Sequence, residues 1–217
     1  MSFTPITTPK VVKSLFPTLV WDIPTKSKDI YLTFDDGPTP EITNWVLETL
    51  KQFSAKATFF CVGKNIEQYP SIFQQIVKDG HGIGNHTHNH IKGWKASADS
   101  YLKDVAQAQE VINTQVQKSE IRNQNLFRPP YGQITPKQIK KLQEQAYKIV
   151  MWNVLSVDWD NSLTKEACLK NVINHADSGS VIVLHDSVKA SKNMKYVLPK
   201  VLEYYTEKEF TFKRIPE

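Results

Sequence analysis

From Asp29 onward, short apolar runs alternate with longer amphipathic ones, and this alternation limits what the chain can fold into more than any other feature. The apolar runs cover residues 30–34, 57–62, 82–84, 126–128, 148–152, 180–184 and 210–213. The amphipathic runs cover 39–53, 70–79, 97–116, 136–145, 164–176 and 194–208. The first set predicts strands and the second predicts helices. Pro40 and Pro136 stand near helix starts, where a missing N–H costs nothing. Gly80 follows Lys78 and Asp79 as a helix stop. Strands that alternate with helices build a parallel sheet, open or closed into a barrel. In such folds chemistry gathers at the carboxyl ends of the strands.

A length of 217 residues suits one domain with a full core, and 40% apolar with 23% charged residues is an ordinary globular balance. We read residues 28–217 as that domain. Residues 1–27, with Pro5, Pro9, Pro17 and Pro24, read as an irregular N-terminal extension packing on it. The apolar piece 11–21 is too short to span a membrane, and no stretch of 18 apolar residues occurs. The first residues lack a charged start followed by an apolar run, so a cytoplasmic location is expected, or an extracellular or periplasmic one if a leader has been removed. A net charge of +5 without a block of Lys or Arg reads as a solvated surface and gives no ground for nucleic-acid binding, with attraction to anionic polymers such as cell-wall material left open. Cys61 and Cys168 show no zinc spacing and read as small core residues. The sequence leaves the oligomeric state open.

The unusual polar residues fall just beyond the predicted strands. Asp35 and Asp36 follow the first, and His86, His88 and His90 follow the third. Arg128 and Tyr131 close the fourth, Asp158 and Trp159 come after the fifth, and His185 and Asp186 follow the sixth. A parallel barrel would bring all five groups to one rim, which is a reason to expect an enzyme. His86 and His90 are four apart, so one helical turn would put both rings on one face, a metal-ligand spacing. Two His and a carboxylate leave coordination positions open. Adjacent Asp35 and Asp36 repel each other, and a cation would relieve that repulsion, letting one serve as ligand and one as general base. Arg128 beside a carboxylate would keep it ionised. His185 beside an acid could act as general acid. Plainer explanations exist for each residue alone: a helix cap, a solvated Arg in a rigid Pro-Pro turn, a satisfied core histidine.

Together these residues resemble the NodB-homology polysaccharide deacetylases, carbohydrate esterase family 4, from about Ile30 to Phe212. Thr33-Phe34-Asp35-Asp36-Gly37 matches the TFDDG motif, and His86-Thr87-His88-Asn89-His90 matches H[ST]xxH. Arg128-Pro129-Pro130-Tyr131-Gly132 matches RxPY, Asp158-Trp159 matches the end of DxxDW, and Val183-Leu184-His185 stands where the family has LxH. The resemblance implies a distorted (β/α) barrel with fewer than eight complete units. It implies a metal-dependent hydrolase that removes acetyl groups from N-acetylated amino sugars in a glycan. Asp35 would be the general base, Arg128 its partner, His185 the general acid and Asp158 its tuning residue. Asp36, His86 and His90 would hold one divalent ion, usually zinc, with cobalt or nickel accepted by some members. The Tyr131 N–H would help hold the oxyanion, and Trp159 and Val183 would line the acetyl pocket. Two departures stand out: Leu155 replaces the first Asp of DxxDW, and Val183 replaces the Leu of LxH. Competing readings are a non-haem iron oxygenase with a two-His-one-carboxylate site, a glycan-binding protein on an inactive scaffold, and a deacylase of a small non-sugar amide. Peptidoglycan, chitin oligomers, an exopolysaccharide and a soluble amino sugar are all compatible with these residues as substrate.

Overall fold

The computed structural model of the protein describes residues 5–116 and 125–216. In chain order the elements are α1 (Lys10–Leu15), β1 (Asp29–Asp35), α2 (Ile42–Gln52), β2 (Ala57–Cys61), α3 (Gly63–Gln68), α4 (Pro70–Lys78), β3 (Gly82–Asn85), α5 (Ala98–Val116) and β4 (Leu126–Phe127). They continue with α6 (Pro136–Glu144), β5 (Lys148–Ile149), β6 (Val154–Leu155), α7 (Lys165–Ile173), β7 (Val181–His185), α8 (Ser191–Glu207) and β8 (Thr211–Phe212). The sheet runs in the order β5-β4-β3-β2-β1-β7-β6, with β8 added on β1, and every strand pair is parallel. It is a distorted (β/α) barrel with fewer than eight complete units.

β1 shows how the sequence fills both faces. Side chains alternate along a strand. Ile30, Leu32 and Phe34 join the outer core with Val46 and Leu50 of α2 and Met194 and Leu198 of α8. Tyr31 points the other way and packs with Phe60, Val181 and Ile215. Thr33 and Asp35 share the inner side with Tyr31 by the same alternation. All seven residues are therefore buried, as expected of a strand covered on two faces. Fully burying one such Leu or Phe stabilises by roughly 1.5–3 kcal/mol.

Local signals set the helix ends. Thr135 and Gln138 form a capping box at the start of α6. The Thr164 hydroxyl caps α7 by accepting from the Ala167 N–H. Gly80 holds φ 76° after α4, a conformation that only glycine adopts without cost. The segment before β1 meets both open edges of the sheet, at β6 and just past β5, and then the start of the interior strand β7. Thr7 bridges Val154, Val20 bridges Val150 and Asp22 bridges Ser180, while Leu19 and Trp21 are buried against Tyr101 and Phe127. Unpaired strand edges are thereby partly satisfied.

Several elements differ from the sequence expectation. α1, α3 and β6 were absent from it, because segments of six and two residues show little periodicity. The strand expected over 148–152 stops at Ile149; beyond it the Met151 N–H donates to Val20, and the chain turns toward β6. Residues 86–90 are not a helical turn. Thr87 and His90 hold φ values of 63° and 53°, and the two imidazoles meet through a tight loop. No helix among the described residues is long and apolar enough to cross a membrane.

Candidate active site

The parallel sheet places the carboxyl ends of β1, β3, β4, β6 and β7 on one rim. Asp35 ends β1 beside His185, its register partner at the end of β7. Beneath this rim lies Arg128, the largest fully buried side chain. Its Nη1 donates to Asp35 Oδ1 and to Thr33 Oγ1, each at 2.7 Å. Its Nε donates to the Val150 carbonyl at 3.1 Å, and Nη2 to the Met151 carbonyl at 2.8 Å. The guanidinium lies 4.1 Å from the Phe60 ring centroid. Burial disfavours the Arg128 charge, and the Asp35 carboxylate beside it opposes that effect. The planar fork uses four acceptors at once, which a lysine could not do.

Asp36, His86 and His90 offer three ligand atoms that all lie within 4.8 Å of one another. His90 Nε2 is 3.1 Å from Asp36 Oδ1, and His86 Nε2 is 3.8 Å from the same oxygen. The His86 Nδ1–H donates to the Arg128 carbonyl at 2.7 Å, an assignment that leaves the Nε2 lone pair facing the carboxylates. Burial holds His86 down at about 4, so the ring is a neutral donor at pH 7. Burial also disfavours the Asp36 charge, but the His90 hydrogen bond and the His185 and His86 rings keep its carboxyl well below the usual range. Imidazole nitrogens and a carboxylate oxygen are the donor set that zinc, cobalt and nickel accept. The residues present therefore fit a divalent ion.

Backbone conformation is unusual around this cluster. Asp36 (φ 82°), Thr87 (63°), His90 (53°), Tyr131 (60°) and Val157 (60°) are all left-handed without being glycine. Each costs on the order of 1–3 kcal/mol and persists only where neighbours over-determine it. The His loop shows such neighbours. Asn85 Oδ1 accepts from the Thr87 N–H, and Asp104 Oδ1 accepts from the His88 and Asn89 N–H groups. His88 is buried with Nε2 3.7 Å from Glu67, outside the ligand triad.

On the opposite side, Asp158 Oδ1 is 2.8 Å from His185 Nδ1, and Asp158 Oδ2 accepts from the His185 N–H at 2.8 Å. Burial alone would lower the His185 ring, but Asp158, through charge and hydrogen bond, raises it to about 9. Leu155 in place of an acid does not break this pair. Leu155 is buried beside Val157 and Val183, with Trp152 and Trp159 packed against them. Asp158 is held instead by its neighbours: Ser156 Oγ accepts its N–H, and Asn193 Nδ2 donates to its carbonyl. The Trp159 ring meets the His185 ring edge-on, with centroids 4.8 Å apart. Tyr131, more than half exposed, packs on His90 at 4.7 Å. A cavity of about 340 Å³ opens over Asp36 and His90, flanked by Lys64 and Asn65.

Residues 22–150 match the family model described as polysaccharide deacetylase. A peptidoglycan-N-acetylglucosamine deacetylase from Bacillus cereus is 33% identical over 209 residues, 94% of this chain and 95% of the relative. The chain belongs to the polysaccharide deacetylase family. Within carbohydrate esterase family 4, this deacetylase fold aligns with a crystal structure of a peptidoglycan N-acetylglucosamine deacetylase in complex with 4-naphthalen-1-yl-N-oxidanyl-benzamide. That alignment has a TM-score of 0.86 and 32% identity, and covers 96% of this chain and 95% of the other. A second Bacillus cereus protein of the same name is 38% identical over 76% of this chain, a match that spans 58% of the relative's own length. A chitooligosaccharide deacetylase from Azorhizobium caulinodans is 35% identical over 72% of this chain and 73% of its own. The reading as a hydrolase acting on N-acetyl amide bonds agrees with these names.

Asp35, Asp36, His86, His90, Arg128, Asp158 and His185 come together on or just under the one rim, Tyr131 packs on His90, Trp159 meets His185, and Val183 packs with Leu155 and Val157. Sequence reasoning missed the residues that hold them: Thr33, Asn85, Asp104, Asn193 and the bonding of Asp186. Thr33 stood inside a recognised motif, and Asp186 next to His185. Asp104 and Asn193 sit within or at the start of helices and carried no local signal.

Proposed function

We propose that this protein is a divalent-metal-dependent N-deacetylase of N-acetylated glycans, releasing acetate and a free amine. The observation that carries the reading is one rim holding three converging groups: the Asp36–His86–His90 triad, the Asp35–Arg128 pair and the Asp158–His185 pair. The relatives named for peptidoglycan and chitooligosaccharide deacetylation support an amino-sugar polymer or oligomer as substrate. Zinc is the favoured ion for the triad, with cobalt or nickel as substitutes.

When bound, such an ion supplies Lewis-acid polarisation of an amide carbonyl and acidifies water. The chain's own groups supply the rest. Arg128 holds Asp35 Oδ1 and leaves Oδ2, 4.0 Å from His86 Nε2, facing the triad. Oδ2 is the atom that accepts the proton of the attacking water. The Tyr131 N–H helps hold the negative oxygen that develops as water adds. His185 donates Nδ1–H to Asp158, so Nε2 is the nitrogen that delivers a proton to the departing amine. A ring raised to about 9 is protonated at neutral pH and can act as that acid. Trp159 and Val183, packed around this pair, form the apolar wall for the acetyl methyl.

Acetate release from N-acetylglucosamine oligomers by the purified, zinc-loaded protein tests the reading. Release that disappears in Asp36→Ala supports it. Turnover of small non-sugar amides with none on the oligomers would move the substrate class.

A further inference from the structure

Asp186 is a fully buried carboxylate to which the reaction above gives no role. Its Oδ1 accepts the Gly37 N–H at 3.0 Å, and its Oδ2 accepts the Thr43 hydroxyl of α2 at 2.6 Å. Its own N–H donates to the Asp35 carbonyl at 3.2 Å. A side chain at Gly37 would meet Asp186 Oδ2 at 2.0 Å, so the carboxylate lies directly against the turn that follows Asp36. The peptide joining Asp36 to Gly37 is gripped at both ends. Asn65 Nδ2 donates to its carbonyl at 2.7 Å, and Asp186 accepts from its N–H. That grip sits on a residue held at φ 82°, which relaxes without a restraint. The neighbour of Asp186 is His185, so one dipeptide carries the acid and the anchor of the metal-ligand turn.

We infer that Asp186 is a positioning residue: by clamping the Asp36–Gly37 peptide it aims the Asp36 carboxylate at His86 and His90. This rests on the reading of Asp36, His86 and His90 as a metal site. Outer groups that orient ligands typically change metal affinity about 10–100-fold when removed.

Cobalt(II) titration of the full chain, followed by its visible absorption, tests the inference without reference to turnover. Asp186→Ala should weaken cobalt binding by about 10–100-fold. Asp186→Asn should stay within roughly threefold of wild type, because an amide oxygen accepts from Gly37 while its NH2 donates to Thr43 Oγ1. Thr43→Val removes one of the two anchors of Asp186 and should weaken binding by about 10-fold, the lower end of that range. It decides the matter if the alanine variant does not fold. Val172→Ala, a cavity in the core beneath α7, should leave affinity unchanged. Wild-type affinity in Asp186→Ala or Thr43→Val, or an equal loss in Val172→Ala, overturns the inference alone. A wild-type protein that takes up no cobalt overturns the metal site and the inference together.

Discussion

Replacing Arg128 by methionine should destabilise the protein through Asp35 as much as through lost packing. The guanidinium is fully buried and satisfies Asp35 Oδ1, Thr33 Oγ1 and the carbonyls of Val150 and Met151. Methionine keeps much of the contact with Phe60 but leaves these acceptors without a donor. Asp35, itself 4% exposed, then becomes a buried charge without its partner. Removing one member of a buried pair costs about 3–5 kcal/mol. At about 2–4 °C per kcal/mol for a chain of this size, Tm should fall by roughly 6–20 °C. If the unpaired charge dominates, Asp35→Asn should relieve part of the loss. A double-mutant cycle by urea unfolding of metal-free protein at pH 7.5 measures this. Arg128→Met with Asp35→Asn should be less destabilised than the sum of the single changes by at least about 1.5 kcal/mol, within the range for contacting pairs. Additivity within about 0.5 kcal/mol would show that Arg128 stabilises by packing alone.

Asp35→Asn keeps the shape at the end of β1 and removes the proton acceptor; bound metal should persist while acetate release falls by roughly two to four orders of magnitude. Near-normal turnover would place the base elsewhere. His185→Ala should cripple hydrolysis of an N-acetyl sugar while largely sparing an activated aryl acetate, whose phenolate leaves without a proton; equal loss on both substrates in a folded variant would refute the acid role. His81 reports on stability. Its Nδ1 accepts the Ala57 N–H, and burial, aided by the Lys56 charge, pushes the ring down to about 4. The unfolded chain, with an ordinary pKa of about 6.5, therefore binds a proton that the folded chain refuses as pH falls from about 6.5 to about 4. The stability present above that window is lost within it, by about 2 kcal/mol at pH 5. Urea midpoints at pH 7 and pH 5 should fall further apart in wild type than in His81→Gln, and identical pH dependence in the two proteins would contradict this assignment.

The sheet was legible because β1, β2 and β7 are covered on both faces and so read as unbroken apolar runs. The chemical residues were legible because a parallel sheet must carry strand-end side chains to one rim. What was not legible rests on contacts across the sequence. Asp104 reaches His88 from α5, Asp186 reaches Gly37 across 149 residues, and Asn193 reaches Asp158 from α8. No periodicity announces such bonds. The His86–His90 spacing predicted a shared face correctly but by the wrong route. A helical turn was expected, whereas left-handed Thr87 and His90, tied down by Asn85 and Asp104, bring the rings to 5.1 Å. Leu155, standing where the family has an acid, carried no sign of what supports Asp158; the structure assigns that support to Ser156 and Asn193.

Metal content and turnover measured on the same sample test the central claim most directly. The purified chain is stripped with a chelator, assayed for acetate release from N-acetylglucosamine oligomers, then reloaded with one equivalent of zinc and assayed again. We predict negligible release after stripping, recovery at one ion per chain, and neither uptake nor recovery in Asp36→Ala with His90→Ala. Undiminished release from the stripped protein, or full metal uptake by the double variant, would contradict the account.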